Sequence, residues 1–216
     1  VMPRLRTASP NAAVIRSRVL HTWGHGESQV AEMLDDLYAS INPSIAFLIT
    51  DMEVKIRITA KAEDGASAEA LIAPVEAEVR SRLGEAVFGS DDETVLDAIE
   101  RSLAGRTVGA FEVATAGALT QRLSGIAGFA GGTTIIAGAD AVELARRART
   151  VFGAQIGVGI SEPNLVEDSG EQATEVGFAV VTSDRVESTK MRFFGAGERA
   201  RSYAVLAALH VLRKSL

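Results

Sequence analysis

Residues 54–61 alternate without a break: Val54, Ile56, Ile58 and Ala60 are apolar, and Lys55, Arg57, Thr59 and Lys61 separate them. Successive side chains on a strand point to opposite faces, so this pattern specifies a strand with one buried face. A half-buried strand needs sheet neighbours and a covering layer. Residues 45–50 are apolar, and Asp51-Met52 suits a turn, which makes a hairpin with 54–61. Upstream, residues 13–23 carry Val14, Ile15, Val19 and Leu20 with Arg16 and Arg18 between them and read as another strand, broken by Gly24-His25-Gly26. Val30, Met33, Leu34, Leu37 and Ile41 then recur at helical spacing, with Ser28 as N-cap and Asn42-Pro43 as the stop. A second helix is expected over 67–83, with a stripe of Leu71, Val75, Val79 and Leu83, Pro74 inside it and Gly84 at C′. Strand, helix, two strands, helix and a short strand over 86–88 describe a small α+β domain ending near Gly89-Ser90.

The remainder reads differently. Ser90 and Glu93 have capping-box spacing and predict a helix start, with the end near Gly105. Strand 107–113, helix 118–126, strand 133–137, helix 140–152 and strand 155–160 follow. A loop through Thr174 leads to a hairpin, 175–182 with 186–194, and a helix over 198–212. Alternating strands and helices closed by a hairpin predict a layered α/β domain with a mixed sheet.

Composition narrows the chemistry. The chain has no cysteine, which excludes disulfides, thiolate catalysis and cysteine-ligated zinc and fits a cytoplasmic protein. The formal charge of −6 argues against a large nucleic-acid grip. Residues 1–89 hold 9 basic and 12 acidic side chains and residues 90–216 hold 13 and 16, so each part is −3. No apolar run reaches the ~18 residues of a membrane span. His21, His25 and His210 do not group into a metal site, and no metal or cofactor is expected.

Several phrases occur in a telling order: Gly24-His25-Gly26-Glu27-Ser28, Asn42-Pro43-Ser44, Arg57-Ile58-Thr59-Ala60-Lys61-Ala62, Ile72-Ala73-Pro74-Val75-Glu76 and Val87-Phe88-Gly89-Ser90-Asp91-Asp92-Glu93-Thr94. Together they resemble the CinA family of competence/damage-inducible proteins across nearly the whole chain. The resemblance implies three parts: residues 1–11 as the tail of a missing N-terminal domain or a linker, 12–89 as a KH-like α+β domain, and 90–216 as a deamidase-like α/β domain. The start, Val1-Met2-Pro3-Arg4, agrees with an excised fragment. In active relatives the last domain hydrolyses the carboxamide of nicotinamide mononucleotide, using a serine and a lysine helped by a tyrosine. Self-association is a further implication.

The residues of that chemistry are largely missing. The family phrase Glu-Ser-Cys-Thr-Gly-Gly stands here as Glu112-Val113-Ala114-Thr115-Ala116-Gly117. Gly-Ser-Ser, which supplies the nucleophile, stands as Gly128-Phe129-Ala130. Thr-Tyr-Ser-Asn followed by a helix lysine gives way to Ile135-Ile136-Ala137-Gly138-Ala139-Asp140 and a helix with Arg146, Arg147 and Arg149. Arginine stays protonated and makes a poor base. After Ser90 the only lysines are Lys190 and Lys214, and the only tyrosine is Tyr203.

No catalytic residue is therefore assigned. The resemblance implies a degenerate pocket for a nucleotide-like small molecule at Glu112, Thr115, Gly117, Gly128, Gly159, Ser161, Gly195, Gly197, Arg199 and Arg201. Arg201 matches a family arginine near the substrate, and Gly195-Ala196-Gly197 opens a helix whose free N–H groups suit a phosphate. Glu162 places a negative charge at the implied rim, and Glu167, Asp168 and Glu171 read as an exposed acidic loop. The expectation is a catalytically inactive ligand-binding or assembly module. An amidase with a rearranged site is one alternative. Single-stranded nucleic-acid binding through Lys55, Arg57 and Lys61, with Arg16 and Arg18 as neighbours, is the other.

Overall fold

The computed structural model describes residues 13–50, 52–136, 140–168 and 170–216, so the tail over 1–11 lies outside the described residues. The chain divides between Glu93 and Thr94 into two compact units. None of its described helices is long and apolar enough to cross a membrane.

The first unit runs β1 (Val14–Thr22), α1 (Glu27–Met33), α2 (Asp35–Tyr38), β2 (Ser44–Thr50), β3 (Glu53–Ala62), α3 (Gly65–Leu83), a 3-10 turn (Gly84–Ala86) and β4 (Val87–Ser90). Its sheet has the order β2-β3-β1-β4 with every pair antiparallel. The alternation in β3 does what its period requires. Val54, Ile56, Ile58 and Ala60 are buried in one core with Leu20, Val30, Leu34, Ile45, Ile72, Val79 and Leu83. Lys55, Arg57, Thr59 and Lys61 take the other face, in register with His21, Val19, Ser17 and Ile15 of β1. Arg16 and Arg18 are not their neighbours. They pair with Ala60 and Ile58 and so share the face that the helices cover. Arg18 reaches Glu76 of α3 at 3.2 Å and Asp91 at 2.5 Å.

The helix ends differ from expectation for local reasons. Gly26, not Ser28, caps α1: its amide donates to the Gln29 side chain at 3.0 Å, and its carbonyl accepts from Val30 N. Helical structure ends at Tyr38, and Ile41 beyond it is 93% exposed, outside any stripe. Helix α3 starts at Gly65 because the Asp64 carboxylate accepts from Ser67 N at 2.8 Å. It continues across Pro74 and buries Ala68, Ile72, Val79 and Leu83; Leu71 faces solvent.

The helix expected to start at Ser90 is capped four residues later, at Thr94. Ser90 and Glu93 do make the reciprocal contact, Ser90 N donating to Glu93 Oε2 at 2.8 Å, but within a turn. Asp91 is held to β1: its amide donates to Val19 O at 2.7 Å, and its carboxylate accepts from Val19 N at 2.9 Å. The chain therefore cannot turn helical there. Thr94 and Asp97 repeat the same spacing and form the capping box of α4 (Val95–Leu103).

The second unit continues with β5 (Val108–Glu112), α5 (Ala118–Leu123), β6 (Phe129–Thr134), α6 (Ala141–Phe152), β7 (Ile156–Ile160), β8 (Asn164–Asp168), β9 (Glu171–Val181), β10 (Val186–Phe194) and α7 (Glu198–Ser215). The sheet order is β10-β9-β7-β5-β6, with β8 also on β9. Strands β6, β5 and β7 are parallel, and β9 is antiparallel to β7, β8 and β10. This is the expected layered α/β domain with a mixed sheet. Central β5 and β7 are buried along their whole length, as parallel strands covered on both faces must be.

Two elements depart from the sequence reading. The strand expected at 133–137 lies at Phe129–Thr134, and Ala137 falls outside the described residues. Its glycines meet neighbours closely: a Cβ on Gly131 would lie 2.5 Å from the Phe152 ring, and one on Gly132 would lie 2.4 Å from Thr120 Oγ1. The acidic loop is a hairpin, because β8 pairs with the first five residues of β9. Helix α6 lies hard against β7. A Cβ on Gly157 or Gly159 would come within 1.9 Å of the Ala145 or Ala141 carbonyl oxygen, so only glycine permits this approach.

Candidate functional site

Strand β9 builds the site. Its second half pairs with β7 and its first half with β8, so β7 and β8 follow one another along the same side of β9. A cleft of about 350 Å³ opens there in the second unit. Ala114 after β5, Pro163 and Leu165 after β7, and Thr174 and Val176 on β9 line it. Helix α7 contributes Ala200, Arg201 and Ala204, and the turn before it contributes Ala196 and Gly197. Alanine at 196, 200 and 204 leaves room beside the first turns of this helix. Thr174, the cleft's hydroxyl, donates to Gly195 O at 2.8 Å and so braces the turn that starts α7. Arg201 is exposed, and its amide donates to Gly197 O at 3.1 Å as the helix closes its first turn. The lining thus offers apolar walls, one guanidinium and the start of an 18-residue helix. Such a combination suits a small molecule carrying an anionic group.

The structure brings Gly197 and Arg201 together in this cleft, with Gly195 bonded behind it. The other expected site residues have structural duties. Glu112 is fully buried at the end of β5. Its carboxylate accepts from Leu119 N at 3.1 Å, from Thr120 N at 2.9 Å, and from the hydroxyls of Thr115 and Thr120. Glu112 and Thr115 therefore cap helix α5, and Gly117 supplies the left-handed turn that begins it. Gly128 sits against Arg106 O, where a Cβ would approach to 2.8 Å, and Gly159 lies beneath α6. Arg199 donates to the Tyr203 hydroxyl at 3.0 Å and lies over its ring.

Ser161 belongs to a different depression of about 650 Å³, shared with Glu162, Ser188, Thr189 and Lys190. Ser161 Oγ accepts from Gly177 N at 2.9 Å and donates to Glu162 O at 3.0 Å. Lys190 is paired with Glu175 at 3.3 Å. The acidic residues are likewise occupied in part: Glu175 also meets Arg192 at 3.0 Å, and Asp168 lies 3.6 Å from Arg192. Arg192 and Lys190 together hold the Glu175 carboxyl below the usual carboxylate range. Phe129 and Ala130, where the resemblance implies a nucleophile, are residues of strand β6.

Sequence reasoning missed Ala114, Pro163, Leu165, Thr174 and Val176, which carry no chemical signal individually. The one available signal was the pair Ala200 and Ala204, four apart on one face of α7, with Ala196 in the turn before it.

The chain has relatives among known proteins. Residues 17–89 match the family model of the damage-inducible protein CinA KH domain. The whole chain aligns with a CinA-like protein of Deinococcus radiodurans at 31% identity and with one of Frankia casuarinae at 33%. It covers 57% and 58% of those relatives, so the chain spans a little over half of their length. Among solved structures, a CinA superfamily protein from Klebsiella pneumoniae is 21% identical with a TM-score of 0.48, covering 56% of this chain and 94% of that one. Its counterpart from Escherichia coli is 20% identical with a TM-score of 0.48, over 58% and 92%. With its KH domain in the first unit and relatives aligned along its full length, this chain belongs to the CinA family of competence- and damage-inducible proteins.

Proposed function

We propose that the second unit is a catalytically degenerate deamidase-type domain that works as a small-ligand-binding or assembly module. One observation carries this reading. Among the described residues, the cleft's lining holds one hydroxyl, Thr174, which is committed to a backbone carbonyl, and one ionisable group, Arg201. Amide hydrolysis needs a nucleophile, a group to take its proton and donors for the oxyanion. Threonine without a base, beside an arginine that keeps its proton, supplies only the last of these. Binding requires less. Arg201 and the α7 start attract an anionic group, and the alanine-rich wall receives an apolar ring.

The test uses nicotinamide mononucleotide and its acid product with the full chain. Ammonia release is expected to stay at background, and calorimetry is expected to show binding of one or both nucleotides that Arg201→Ala weakens. Turnover that is abolished by Ser161→Ala or Lys190→Ala would replace this reading with an amidase built on the neighbouring depression. Salt-sensitive binding of a single-stranded oligonucleotide that Arg57→Ala reduces would move the function to the open face of the KH domain.

A further inference from the structure

The first unit's sheet has one long unguarded edge. Strand β2 pairs with β3 on one side and, among the described residues, with no strand on the other. An exposed edge of free N–H and C=O groups is a template for another strand, and proteins usually block it with charge, proline, a bulge or brevity. Strand β2 has none of these. It is seven residues long, and its register with β3 is unbroken from Ser44 to Thr50. Residues 37–50 contain no charged side chain, in a chain with 22 basic and 28 acidic residues. The opposite edge, β4, is only four residues long, and β10, an edge of the other sheet, carries Glu187, Lys190 and Arg192.

Apolar side chains gather at the same edge. Leu48 is 41% exposed and Ile49 59%, and Tyr38, 58% exposed, stacks on Phe47 at 5.8 Å. We propose that a second copy of this chain adds its own β2 here, antiparallel and centred on Phe47, so that two four-stranded sheets become one of eight. Charge selects this occupant. Two copies of a chain of net charge −6 repel, and a neutral edge meeting itself opposes no like charges. Antiparallel pairing about a two-fold axis is self-complementary. It sets Leu48 of one copy across from Ala46 of the other on the open face, large against small. On the helix-covered face it sets Ile49 across from Ile45, beside the two Phe47 rings.

Sedimentation of the full chain from about 1 to 100 µM, the range in which modest interfaces report, tests the pairing. A dimer is expected, and Ile49→Lys is expected to weaken it roughly tenfold or more by putting a charge at each end of the paired strands. Leu48→Arg provides a second variant on the other face; both side chains are exposed, and circular dichroism verifies folding. Hydrogen exchange over 44–50 is expected to slow as concentration rises. Ala130→Lys, on edge strand β6 of the other unit, is expected to leave the dimer intact. A monomer throughout the range overturns the proposal, as does a dimer indifferent to both folded β2 variants. So does a dimer lost only with Ala130→Lys, which would assign the contact to the β6 edge.

Discussion

Glu112→Ala tests whether the buried glutamate at the end of β5 is a structural cap. The carboxylate accepts two backbone N–H groups at the start of α5, at 3.1 and 2.9 Å, and two hydroxyls. Alanine leaves all four donors without their acceptor. The hydroxyls can rotate toward other partners; the buried N–H groups cannot, and an unmet buried donor costs about 1–3 kcal/mol. For two such groups a loss of about 2–6 kcal/mol follows, a large share of the ~5–15 kcal/mol that stabilises a typical domain. Glu112→Gln distinguishes capping from shape. Each carboxylate oxygen accepts from one backbone N–H, so an amide must turn its NH₂ toward one of them in either orientation, for a loss of about 1–3 kcal/mol. Urea unfolding measured with two probes provides the assay. The single tryptophan, Trp23, lies in the first unit and reports its transition by fluorescence, whereas circular dichroism reports both units. The second unit's transition is expected to fall to lower urea in both variants while the fluorescence transition stays in place. An alanine variant within about 1 kcal/mol of the parent, small against that expected loss, would refute the capping argument. So would a glutamine variant that keeps full stability but loses nucleotide binding.

Thr94→Ala is expected to cost about 1 kcal/mol through loss of the α4 cap, whereas Ser90→Ala, whose hydroxyl serves only a turn, should cost less; thermal melts of the two variants check the order. Arg82, by hydrogen bonding first and charge second, holds the Asp36 carboxyl below its ordinary value. A depressed folded-state pKa gives stability that is complete above the unfolded value, about 4, and is lost as pH falls through the folded value. Asp36→Asn should therefore lower stability at neutral pH and flatten the decline below about pH 4, as measured by urea midpoints on either side of that value.

What the sequence revealed depended on whether a pattern was local. The alternation in β3 and the capped helix α6 were readable because each is set by neighbours within a few residues. The start of α4 was misplaced because Asp91 answers to β1, some seventy positions away, before it answers to its own turn. Strand β6 was shifted because Gly131 and Gly132 signal a loop, while their real role is to admit Phe152 and Thr120 from the elements packed beside them. Hairpin β8–β9 was hidden by its charges, which solvate an exposed pair. The cleft was least legible. Gly197 and Arg201 announced themselves, but Ala114, Pro163, Thr174 and Val176 are joined to them only by the sheet's order.

The double pairing of β9 bears on how such a domain can change without collapsing. Its contacts to β7, β8 and β10 are made by main-chain groups, and the cleft is the space left where one partner gives way to the next. The main chain thus fixes the walls that β9 and its partners supply, and the small side chains at 196, 200 and 204 keep the hollow open. Substitutions among the residues that line it can change what the hollow accepts without disturbing the sheet that frames it.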